Sequence, residues 1–77
     1  MPKQVFLGHL AEILIAEPHE LQIDAPLDRF KGWDSMGRMQ VLTLIDTDVG
    51  VPVPFNWLAE CRTVGQILTL VEPKLTK

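Results

Sequence analysis

Apolar positions recur at helical spacing in three places along the chain, and proline or glycine closes each run. From about residue 3 to residue 17, Phe6, Leu10, Ile13 and Leu14 fall on one helical stripe, and Pro18 stops it. A second helix is expected from Ser35 to near Gly50. Serine is a favoured N-cap, because its hydroxyl accepts a bond from a backbone N–H that the helix leaves unpaired. Gly50 suits the left-handed position after a helix end. Leu42, Ile45 and Val49, with Val41 beside them, form the expected core stripe of this helix, while Met36 and Met39 lie off it. The third run is Val64, Ile67, Leu68 and Val71; Thr63-Val64-Gly65-Gln66 opens it as a capping box and Pro73 ends it.

Two segments break the helical pattern. Residues 18–34, PHELQIDAPLDRFKGWD, hold two prolines, a glycine and three aspartates, so they read as a long loop. Leu21, Ile23, Leu27 and Phe30 punctuate it and predict that it lies against the core. A connection this long in a small domain is often functional. The segment VPVPFNWLAEC begins with prolines that forbid a helix and disqualify a strand, and residues 55–60 can form one short helix. The pattern predicts an all-α protein: a small four-helix bundle of three main helices and one short one, with a long loop between the first two. Residues 1–77 are expected to form a single domain.

Composition narrows the function classes. Apolar residues are 47% of the chain, enough for a packed core, but 77 residues leave little room for an enzymatic cleft. The net charge is −3, from 10 acids against 7 bases with no cationic cluster, which disfavours nucleic acid as a partner. No apolar run approaches the roughly 20 residues needed to span a bilayer. Cys61 is the only cysteine, so no internal disulfide forms, and the N-terminal segment reads as a helix of the domain and not a signal peptide. The expected setting is the cytoplasm, with the chain a free-standing monomer.

The candidate chemistry lies in GWDSMGRMQ, residues 32–40. A nucleophilic serine needs a base within hydrogen-bond reach, and His9 and His19 stand in no triad or elbow motif. If Ser35 reacts, another protein activates it. Trp33 and Trp57 read as packing residues, Cys61 as a small buried hydrophobe, and His9 and His19 as surface or boundary residues with no ligand cluster around them.

These residues carry a family resemblance. Asp34-Ser35-Met36 at the head of a helix, then Gly50-Val51-x-Val53-Pro54, a short helix, and Thr63-Val64-x-x-Ile67 resemble an acyl carrier protein. The common family form is Asp-Ser-Leu, with a helix closing in Gly-Val-x-Ile-Pro. The match runs from about Gly32 to Val71 without a gap.

The resemblance implies that a phosphopantetheinyl transferase moves 4′-phosphopantetheine from coenzyme A onto Ser35. The arm then carries acyl groups as thioesters between acyl-loading and acyl-processing enzymes, and the chain itself is not an enzyme. It further implies that Asp34 helps engage the transferase and its metal, with no metal site in this chain. A helix N-terminus suits the phosphodiester anion.

The second helix is then the docking face, through Met36, Arg38, Met39, Gln40, Thr43 and Thr47. Carriers of fatty-acid synthesis usually line this helix with glutamates. Here only Asp46 and Asp48 are acidic, Gln40 and Thr47 stand where acids are common, and Gly37 replaces a frequent acid. That departure points to a specialised pathway, polyketide or peptide-like, and Gly32-Trp33-Asp34 leans to the acyl side. Lys31 sits where the family has a leucine. The competing reading is an unmodified interaction module that binds partners through the second-helix surface.

Overall fold

The first helix stops three residues short of its expected end. α1 spans Lys3–Leu14, and Ile15 turns left-handed at φ 58°. The turn is closed by Ile15 N–H donating to Glu12 O and Ala16 N–H donating to Ala11 O. Backbone geometry, and not Pro18 alone, ends this helix. Phe6, Leu10, Ala11 and Leu14 are its buried residues, and Ile13 is only partly buried. A computed structural model describes residues 1–75.

The long loop contains two single-turn 3-10 helices, Pro18–Glu20 and Leu27–Arg29. Leu21, Ala25, Leu27 and Phe30 are buried, as is Trp33 just beyond, so the loop does lie against the core. Lys31 is exposed between two buried aromatics, so its replacement of a leucine leaves their packing intact. Ile23 departs from expectation, because its side chain is exposed. Its carbonyl instead accepts from Gly65 N–H, while Ala25 O accepts from Val64 N–H and Leu27 N–H donates to Arg62 O. These bonds tie the loop to the start of the last helix and satisfy backbone groups that burial would otherwise leave unpaired.

α2 spans Ser35–Thr43 and continues as a π-helical stretch, Leu44–Val49, up to Gly50 in the left-handed region at φ 84°. Its buried positions are Gly37, Val41, Leu44 and Ile45, while Leu42 and Val49 are only partly buried. The expected stripe therefore holds at Val41 and Ile45, while Leu44 is buried more fully than Leu42 or Val49. The true stripe starts at Gly37, and the wider π turn, marked by Gly50 N–H donating to Ile45 O, carries Val49 away from it.

α3 is the short helix Phe55–Glu60, anchored by Leu58. α4 spans Val64–Val71, opens with the Thr63–Gln66 capping box, and buries Val64, Ile67, Leu68 and Val71 as its spacing predicts. A 3-10 turn, Glu72–Lys74, follows it at Pro73. Side chains from all four helices and the loop meet in one core. The protein is an all-α bundle, with no strand among the described residues. No helix among them is long and apolar enough to cross a membrane.

Candidate functional site

The site is built where the loop enters α2. Asp34 has extended backbone, and its Oδ1 accepts from Gly37 N–H at 2.7 Å. Asp34 is therefore the N-cap, and Ser35 is the first residue of the helix. This corrects the assignment of the cap to Ser35. Aspartate caps as well as serine does, and its charge adds a favourable interaction with the positive helix end. Ser35 is exposed, and no side-chain hydrogen bond among the described residues involves it. Nor do the backbone N–H groups of Ser35 and Met36 donate a bond there, so the first turn presents open donors beside a free hydroxyl.

Two glycines let the backbone pass this closely. A Cβ on Gly37 would overlap the Gly32 carbonyl oxygen, and a Cβ on Gly32 would overlap the Ile13 carbonyl at the end of α1. Gly32 N–H donates to Leu14 O at 3.2 Å. The head of α2 is thus pressed against the tail of α1. Gly37, expected as a surface position that lost an acid, is a buried contact. No side chain fits there.

The six expected docking residues divide. Met36 is 71% exposed and Met39 52%. Gln40, Thr43 and Thr47 are exposed too, with Thr43 Oγ1 donating back to Met39 O. Arg38 behaves differently. It is half-buried, its guanidinium lies 5.3 Å from the centre of the Trp33 ring, and its buried Nε has no hydrogen-bond partner among the described residues. It borders a groove of about 690 Å³ together with Trp33, Asp28, Glu60, Cys61 and Arg62. Met36 and Gln40 share a separate hollow with Asp34 and Ile15. Thr43 borders a third, with Asp46 and Pro52, and Thr47 borders neither of these last two. Periodicity does not place Ile15 beside Asp34 and Met36, because it extends the first helix to about residue 17.

The other reactive side chains stand apart. Burial, and then the neighbouring Glu60 carboxylate, push the Cys61 thiol up to about 11, so it is a poor nucleophile at neutral pH. His9 and His19 are exposed, and neither borders the hollow at Asp34 and Met36. No group of three or more His, Cys, Asp or Glu residues that could hold a metal occurs among the described residues.

Residues 4–71 match the family model described as a phosphopantetheine attachment site, and the chain belongs to that family. Its cofactor is covalently bound 4′-phosphopantetheine, and such domains are carriers and not catalysts themselves. The exposed, uncommitted hydroxyl at the open end of α2 fits that group. No curated protein and no solved structure matches the chain.

Proposed function

We propose that this phosphopantetheine-attachment domain holds acyl or aminoacyl intermediates on an arm attached at Ser35 and shuttles them between enzymes of a specialised pathway, polyketide or peptide-like. One observation carries the assignment. Asp34 takes over the helix cap, which leaves Ser35 exposed and uncommitted at the helix head. Ser35 is also the only serine among the 77 residues. When bound, the arm supplies a terminal thiol on which acyl groups are held as thioesters.

Each neighbouring residue has a part. Ser35 supplies the oxygen that becomes the point of attachment. Asp34 holds the first turn through Gly37 N–H and presents its carboxylate to the transferase. The open N–H groups of Ser35 and Met36, with the helix dipole, favour a phosphodiester anion. Gly32 and Gly37 fix the helix head against α1. Met36 and Met39 offer an adaptable apolar contact to partner enzymes, bordered by the polar side chains of Gln40, Thr43 and Thr47. Arg38 adds a stacked cation between Trp33 and the groove.

The specialised pathway is read from this surface, which has exposed methionines and few acids where housekeeping carriers have glutamates. The proposed setting is the cytoplasm, with the chain a monomer. Trypsin tests the attachment point directly. Cleavage after Lys31 and Arg38 releases Gly32–Arg38, whose one hydroxyl-bearing side chain is Ser35. After incubation with coenzyme A and a transferase, that peptide carries the added phosphopantetheine. Finding the group on another peptide refutes the assignment.

A further inference from the structure

We propose that the left-handed turn at Ile15 and the side chain of Met36 form a docking hollow for the phosphopantetheinyl transferase, filled by a transferase segment that presents an apolar side chain flanked by lysine or arginine. The proposal rests on the reading of Ser35 as the attachment point and names a surface that the second helix alone does not contain.

Ile15 is the only non-glycine residue with positive φ among the described residues. A β-branched side chain is poorly tolerated in that region, and glycine or asparagine usually stands at such a helix end. Core packing does not account for the isoleucine, because it is 72% exposed. Backbone strain of this kind persists where the surroundings hold it, and it concentrates at functional sites. The turn is held by the Ala16 N–H bond to Ala11 O at 2.9 Å.

The surroundings say what it serves. Ile15 and Met36 border one hollow with Ile13, Glu12 and Asp34. Both charged residues in that lining are acids, and none is basic. Two strongly exposed apolar side chains within an acidic rim complement an apolar tip with cationic flanks.

The reaction selects the transferase among possible partners. The bond from Ser35 Oγ to phosphorus forms as the pyrophosphate P–O bond of coenzyme A breaks. Adenosine 3′,5′-bisphosphate leaves, and the serine proton passes to a base of the transferase. An enzyme performing that step has to enclose Ser35, so it covers the surface around Asp34 and Met36, the residues on either side. Enzymes that act at the far end of the arm are under no such constraint.

The test measures steady-state modification of the full-length apo-protein by a broad-specificity transferase with coenzyme A, for wild type, Ile15→Gly and Ile15→Asn, with Tm for each. Relief of the left-handed strain raises Tm of Ile15→Gly by about 4 °C, and Ile15→Asn is at least as stable as wild type. Loss of the apolar contact lowers kcat/KM of both variants about 10-fold, through KM. Stability and modification thus move in opposite directions, which a purely structural Ile15 would not produce. Values of kcat/KM within about twofold of wild type in both variants overturn the docking hollow and leave the Ser35 assignment standing. A folded wild type that no transferase modifies overturns both.

Discussion

Asp34 Oδ1 receives the Gly37 N–H at 2.7 Å, and that single bond releases Ser35 from the work of capping its own helix. The two residues therefore separate the helix cap at Asp34 from the proposed attachment point at Ser35. Asp34→Ala removes the cap and is expected to lower stability by about 1 kcal/mol, whereas Ser35→Ala changes it by less than about 0.5 kcal/mol. Urea denaturation of both variants decides the matter. The reverse order of effects would return the cap to Ser35.

Gly37 gives a prediction against helix propensity. In an exposed helix interior, Gly→Ala stabilises by about 1 kcal/mol. Here the new Cβ meets the Gly32 carbonyl, a backbone atom that cannot swing aside. Gly37→Ala is expected to destabilise the domain by about 2 kcal/mol, in the range of core overpacking. A stabilised Gly37→Ala would contradict the close approach of the Gly32 carbonyl to Gly37.

Arg38 and Trp33 should prove energetically coupled. A guanidinium over an indole at 5.3 Å is worth about 0.5–1 kcal/mol when partly exposed. A double-mutant cycle of Arg38→Met and Trp33→Leu, read by denaturation, is expected to return a coupling of that size. Zero coupling would make Arg38 a free surface cation, available for docking as the sequence alone suggests.

Cys61 carries a pH dependence. Its thiol titrates near 11 in the folded protein against 9.0 for the unperturbed group, because burial and Glu60 disfavour the thiolate. The folded state therefore holds this proton more tightly than the unfolded state. The resulting contribution to stability is full below pH 9.0 and is lost as pH rises towards 11. Wild type should lose stability relative to Cys61→Ala across that window, and the two curves should run parallel below it. Parallel curves throughout would contradict the burial of the thiol.

What could be read in advance was local. The Thr63–Gln66 capping box and the Val64, Ile67, Leu68, Val71 stripe need only a few consecutive residues, and both appear as expected. The bundle follows from three such stripes, and the candidate site from Asp34-Ser35-Met36 with its distance to Gly50. What could not be read depends on tertiary approach. Two cap-competent residues stand side by side, and the loop packing that buries Trp33 and bonds Gly32 to Leu14 accompanies the choice of Asp34. Gly37 reads as the replacement of a frequent acid because nothing in the sequence says that the Gly32 carbonyl arrives there. Ile15 opposes its own backbone preference, so no propensity argument ends the helix at Leu14.

The most direct measurement is intact mass, before and after incubation with coenzyme A and a broad-specificity transferase, on wild type and Ser35→Ala with their Tm values alongside. The account predicts one added phosphopantetheinyl group on wild type and none on Ser35→Ala, at closely similar Tm. A folded wild type left unmodified by several transferases, or a Ser35→Ala variant modified as readily as wild type, would contradict it.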